Sequence, residues 1–98
     1  MQQPLLDIKV TYCAPCGYTE RVMELSKEIL GERELEFYIA SWTLAPDKGG
    51  KFEVEVNGEL VFSKTNLGRH AEPGEVRAAI LAKLDTVRPP ATSNVESP

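Results

Sequence analysis

Two cysteines, Cys13 and Cys16, are the only ones in the chain, and they stand in the run Val10-Thr11-Tyr12-Cys13-Ala14-Pro15-Cys16-Gly17-Tyr18. Thiols at this spacing can close a tight disulfide and reopen it, which is the chemistry of a reversible dithiol/disulfide couple. The competing readings are an inert buried pair and half of a zinc site. A tetrahedral zinc site needs ligands beyond these two thiols. The chain offers one histidine, His70, and no further cysteine, so no metal set is expected within one copy. Tyr12, Ala14, Pro15, Gly17 and Tyr18 flank the pair and are read as the surface a partner or substrate would touch. His70 reads as a solvated loop residue, able to serve the thiols only if its loop folds back over them. Lys64 reads as a solvated strand end. With Arg69 it offers two positive charges for the carboxylates of a molecule such as glutathione. Trp42 reads as packing.

The elements around the pair position it. Residues 5–12 alternate, with Leu6, Ile8, Val10 and Tyr12 on one face and Leu5, Asp7, Lys9 and Thr11 on the other, the pattern of a strand. From residue 17 to 30 the period lengthens. Tyr18, Val22, Leu25 and Ile29 form one helical stripe, and Gly31 is a natural stop. The cysteines therefore sit where a strand ends and a helix begins. A helix start carries unpaired N–H groups and about half a positive charge. A thiolate there is stabilised and usable as a nucleophile. Helix-end electrostatics thus assign attack to Cys13, the expected better-exposed thiol, and resolution to Cys16.

Downstream, residues 35–42 alternate as a second strand, and residues 43–50 read as loop, punctuated by Pro46 and Gly49-Gly50. Residues 51–64 form a hairpin around Asn57-Gly58. A three-residue loop, placing Val54 opposite Leu60 and Phe52 opposite Phe62, keeps the apolar residues on one face and is the favoured register. Residues 65–71 read as loop. Pro73 suits the first turn of a second helix, whose stripe is Val76, Ala79, Ile80 and Leu84. The expected fold class is α/β, an α+β two-layer domain ordered β-α-β-β-β-α, with a four-stranded mixed sheet and both helices on one face. Leu5, Tyr38, Ala40 and Trp42 are expected on the opposite, open face, a possible weak homodimer surface. The domain is assigned to residues 1–85. Residues 86–98, with their prolines and no period, read as a flexible tail.

The chain has 98 residues, enough for one small domain, with 42% hydrophobic and 27% charged residues. A net charge of −4 argues against a nucleic-acid partner. No apolar stretch approaches the roughly 20 residues that span a bilayer, and no secretory leader is visible, so a cytoplasmic protein with no membrane role is expected. In a reducing compartment such a cysteine pair is more often catalytic than structural.

Two stretches carry a family resemblance. A first strand ending in C-x-x-C-G-Y, followed by Gly50-Lys51-Phe52-Glu53-Val54-Glu55-Val56-Asn57-Gly58-Glu59-Leu60-Val61-Phe62-Ser63-Lys64, resembles the selenoprotein W/T/H (Rdx) group of thioredoxin-like proteins. The hairpin is the more specific half. The resemblance covers about residues 5–85 and implies a thioredoxin-like fold and a role in cellular thiol redox homeostasis. Members with selenocysteine carry it at the position of Cys16, which implies attack from the second site and opposes the helix-end argument. Thioredoxins and glutaredoxins place a cis-proline before the strand that faces their cysteines. Gly49-Gly50 stands there in this chain.

The resulting expectation is a thiol–disulfide redox protein working through Cys13 and Cys16. It needs no bound cofactor, and its partners are protein thiols or glutathione, the latter as co-substrate. Two alternatives come from other classes: a redox-sensitive adaptor without turnover, and a thiol-ligated metal-binding protein.

Overall fold

β1, Leu6–Cys13, is the spine of the molecule. In the computed structural model, which describes residues 5–87, it is flanked on both sides within a four-stranded sheet ordered β2-β1-β3-β4. β2, Ile39–Asp47, runs parallel to it, and β3, Phe52–Val56, runs antiparallel. β4, Glu59–Ser63, completes the sheet. α1, Thr19–Leu30, makes the crossover from β1. A short α2, Arg33–Phe37, leads into β2. After β4 come one turn of helix, α3 at Lys64–Leu67, and the long α4 at Glu75–Val87. The expected strand and helix order holds, with α2 and α3 added. α4 runs two residues past the expected domain edge at 85. The remainder of the expected tail lies outside the described residues.

The core lies between the sheet and two helices. Leu6, Ile8, Val10 and Tyr12 of β1, Val54 and Val56 of β3 and Phe62 of β4 face Val22, Leu25 and Ile29 of α1 and Val76, Ile80 and Leu84 of α4 in one buried cluster. Both long helices therefore cover the same face. Of the stripes written in the sequence at helical spacing, Val22, Leu25, Ile29, Val76, Ile80 and Leu84 are buried, and Tyr18 and Ala79 half-buried.

Three expectations are corrected. The second strand begins at Ile39 rather than 35, because residues 33–37 turn helically, with the Glu36 N–H bonding the Glu32 carbonyl at 2.9 Å. Leu35 still reaches the core, but Phe37 is 54% exposed. β2 then continues through the expected loop to Asp47, since β1 needs a ladder partner along its whole length. Pro46 is tolerated there because β2 is an edge strand.

The hairpin register differs as well. Asn57 (φ 53°) and Gly58 (φ 84°) form a two-residue turn, so Val56 pairs with Glu59 and Glu55 with Leu60. A bulge follows, and Val54 pairs with Phe62 rather than Leu60. One extra residue restores the apolar phase, so that Phe62 is buried while Leu60 points out, 43% exposed. The turn preference and the hydrophobic pattern are both satisfied.

The third correction concerns Trp42. Leu6 pairs with Ile39 and Asp7 with Ser41, so Ala40 is an extra residue that flips the phase of β2. Trp42 thereby joins Ile8 on the helix side, where its indole N–H donates to Ser26 Oγ of α1 at 2.8 Å. Leu5 and Tyr38 also pack against the core. The open face carries Asp7, Lys9 and Thr11 of β1, Ser41 and Thr43 of β2, and Glu53 and Glu55 of β3, with Ala45 and the exposed Leu60 as its apolar members, and is mainly polar. Among the described residues no helix is long and apolar enough to cross a membrane.

Candidate active site

The two cysteines are joined. Cys13 and Cys16 form a disulfide across a Cα–Cα distance of 5.3 Å. They occupy different surroundings. Cys13 is the last residue of β1 and is 1% exposed, whereas Cys16 is exposed in the following turn. The expectation that Cys13 is the more accessible thiol is overturned. The reason is where the strand stops. The Cys13 N–H bonds the Lys51 carbonyl at 2.8 Å and the Ala14 N–H bonds the Asp47 carbonyl at 2.9 Å. The ladder therefore holds Cys13 at the end of the sheet, and only the residues beyond it loop into solvent.

The loop is a built turn. The Gly17 N–H bonds the Ala14 carbonyl at 3.0 Å, and the Tyr18 N–H bonds the Cys13 carbonyl at 3.3 Å. Gly17 has φ +83°, a conformation that a side chain would strain, and that turn directs the chain into α1. α1 begins at Thr19 with Tyr18 as N-cap and no side-chain cap. Cys16 thus precedes the helix, separated from it by Gly17 and Tyr18, and does not lie within its first turn.

The flanking residues divide. Ala14, Pro15 and Gly17 are exposed around Cys16, and Tyr18 is half-buried. Tyr12 lies in the core, 8% exposed and paired with Phe52. His70, expected in solvent, packs its ring edge-on to Tyr18 at 4.9 Å and to Phe52 at 6.3 Å. Burial holds the His70 pKa below its ordinary value, with the charges of Arg21 and Lys64 acting in the same direction. The loop that carries His70 therefore does fold back toward the cysteine end of the molecule. Beside it a cleft of about 380 Å³ opens between α1 and the start of α4, lined by Arg21, Leu25, Phe52, His70 and Val76 among others.

Lys64 comes close as well. Its Nζ stands 5.7 Å from the centre of the Tyr18 ring. Arg69, paired with Lys64 in the sequence reading, is committed elsewhere, holding both carboxylate oxygens of Glu75 at 2.8 and 3.0 Å. Two lysines that drew no notice in the sequence, Lys48 and Lys51, lie on the β2–β3 connection, whose Asp47 and Lys51 carbonyls accept from the Ala14 and Cys13 N–H groups. Lys51 Nζ contacts Asp47 at 3.1 Å, and Asp47 is the register partner of Cys13. Only the parallel pairing of β1 with β2 reveals that proximity. Among the described residues no group of three or more His, Cys, Asp or Glu side chains is placed to hold a metal.

An exposed cysteine bonded to a buried one, at the carboxyl end of a parallel strand pair, is an arrangement suited to exchange with thiols at one of the two residues. Comparison with known proteins agrees with this architecture. The Rdx family model matches residues 7–82. Migration and invasion enhancer 1 from Mus musculus is 32% identical over 94 residues, spanning 85% of this chain and 76% of that protein. The protein of the same name from Bos taurus is 34% identical with the same spans. The crystal structure of a selenoprotein W-related protein from Vibrio cholerae superposes with a TM-score of 0.76 at 27% identity, covering 83% of this chain and 99% of that one. A Bordetella parapertussis structure, 20% identical with a TM-score of 0.74, covers 81% and 98% and shares the fold.

Proposed function

The chain belongs to the Rdx family, and from that premise we propose that it is a thiol–disulfide redox protein whose working couple is Cys13 and Cys16. The observation that carries the reading is the asymmetry of the pair, one cysteine exposed and one buried at the strand end. Exchange proceeds by attack of a thiolate on a disulfide sulfur along an open approach. In the oxidised protein Cys13 is buried and Cys16 is the exposed cysteine, so Cys16 Sγ is the sulfur assigned to that approach. A partner thiolate attacks it, the Cys13–Cys16 bond breaks, and Cys13 leaves as thiolate. A second thiolate then attacks the partner sulfur of the mixed disulfide, a partner disulfide forms, and Cys16 is released. Two electrons have passed from two partner thiols to the protein.

The reverse direction uses the same atoms. The Cys16 thiolate attacks a partner disulfide and one partner thiolate leaves. Cys13 then attacks Cys16 Sγ, expelling the second and closing the ring. Cys16 is thus the attacking residue and Cys13 the resolving one, the reverse of the order expected from helix-end electrostatics and in line with the position the resemblance favoured. Glutathione and protein thiols are the candidate exchange partners.

The test is mixed-disulfide trapping with the single variants. Cys13→Ser keeps the exposed thiol without a resolver and should accumulate adducts with a model disulfide. Cys16→Ser should accumulate few. Equal trapping, or trapping by Cys16→Ser alone, refutes the assignment. A second reading is favoured by the relatives' shared name, which describes a cellular effect rather than a reaction. On that reading the couple is a switch for protein binding without turnover. Steady-state disulfide reduction in a recycling assay separates the two: sustained turnover supports the redox protein, and a single stoichiometric exchange supports the switch.

A further inference from the structure

The molecule as a whole is anionic, with 15 acidic against 11 basic residues, but the rim around Cys16 is not. Three lysines lie on two separate elements next to it. Lys48 and Lys51, both exposed, sit on the β2–β3 connection, and the backbone carbonyl of Lys51 is the acceptor for the Cys13 N–H. Lys64, from the start of α3, stands over the Tyr18 ring at 5.7 Å and lies 4.0 Å from where a Cβ on Gly50 would be. It thus closes the gap between that connection and the Cys16–Tyr18 loop. Arg21 adds a positive charge on the His70 side.

The nearest opposing group, Asp47, is paired with Lys51. Asp47 accepts from Lys51 Nζ at 3.1 Å and from the Lys48 N–H at 2.8 Å. Glu20 lies in the first turn of α1. Glu53 sits on the open face, where Ser63 Oγ donates to it at 3.3 Å. Glu24, Glu28 and Glu72 line the cleft beside His70 together with Arg21, while Glu34 and Glu36 lie on α2 and Glu75 and Asp85 on α4.

We propose that this lysine rim selects its exchange partner, and that the partner is a cysteine flanked by acidic residues in an exposed peptide segment. The inference rests on the redox reading above and concerns the same site. The thiolate of such a segment attacks Cys16 Sγ, the Cys13–Cys16 bond opens, and the flanking carboxylates lie against Lys48, Lys51 and Lys64. Charge complementarity of this kind acts chiefly on the encounter rate and is screened by salt. The global charge of the protein predicts the opposite preference, for a basic segment, so the two are cleanly opposed.

The experiment uses the oxidised full chain and three synthetic peptides that differ only in the residues flanking one cysteine: glutamates, serines or lysines. Rates of disulfide opening are compared per thiolate, after each peptide's own thiol pKa has been measured. In about 0.01 M salt the acidic peptide should react faster than the serine peptide by about tenfold, and the lysine peptide slower, with the three converging near 1 M salt. Lys64→Gln and Lys48→Gln should each lower the acidic-to-serine ratio, and Lys83→Gln, on α4, should not. Equal rates at low salt, a preference for the lysine peptide, or a preference unaffected by salt overturns the proposal while leaving the redox reading intact. Failure of all three peptides and of 2-mercaptoethanol to open the disulfide overturns both.

Discussion

Reducing the disulfide should lower the stability of the domain by an amount set by the loop it closes. Cys13 and Cys16 have a sequence separation of 3, so four residues lie in the ring. Chain-entropy reasoning for so short a loop gives about 6 cal/mol/K, or about 2 kcal/mol at 25 °C. For a domain of this size that is roughly 8–15 °C in melting temperature. The native loop itself should persist after reduction. The Gly17, Ala14 and Tyr18 N–H bonds to Ala14, Asp47 and Cys13 carbonyls do not depend on the sulfur–sulfur link. The loss is therefore one of restraint on the unfolded chain, and the reduced protein should remain cooperatively folded, as the proposed cycling couple requires. Circular-dichroism melts with and without a dithiol reductant measure it. Cys16→Ser, altering an exposed side chain, should melt with the reduced protein. Cys13→Ser places a hydroxyl at a site only 1% exposed and should melt lower still, by a further 1–2 kcal/mol or so. A reduced protein that melts within about 3 °C of the oxidised form would refute the loop-entropy reasoning. Non-cooperative unfolding on reduction would refute the claim that the loop is held by its own backbone.

Two further outcomes follow from the packing and the charges. Ile80 of α4 is fully buried against the sheet, so Ile80→Ala should cost about 2–5 kcal/mol in urea unfolding at pH 7, and a loss below about 1 kcal/mol would mean that α4 does not close the core. The Arg69 guanidinium, aided by the Glu72 N–H, holds the Glu75 carboxyl down from 4.5 to about 2. A depressed carboxylate contributes its stability above the unfolded value, and that contribution is lost as the pH falls from about 4.5 toward 2. Urea midpoints across this window should decline less steeply in Glu75→Gln, and an unchanged slope would show that the pair does not act in solution.

The identity of the elements was legible because period is local. Tyr18, Val22, Leu25 and Ile29 can share one face only on a helix, and Leu6, Ile8, Val10 and Tyr12 only on a strand. The cysteine spacing at that strand-to-helix junction, with the hairpin motif, was enough to reach the Rdx family and the two-layer fold. Phase and exposure were decided by tertiary structure. Leu35 and Phe37 fit a strand and a single helical turn equally well, and only the ladder with β1 shows that the strand starts at Ile39. A single extra residue, at Ala40 in β2 or Val61 in β4, inverts every later side chain, and no local pattern announces it. That inversion carried Trp42 from the open face to the helices. His70 and Lys64 reached Tyr18 through the packing of distant loops, and Asp47 and Lys51 reached Cys13 through β-pairing and a backbone bond. The unequal exposure of the two cysteines turned on the same point. Their spacing is written in the sequence, but which sulfur meets solvent depends on where the Lys51 and Asp47 carbonyls end the sheet, because burial is a property of what the chain meets in space and not of its neighbours in sequence.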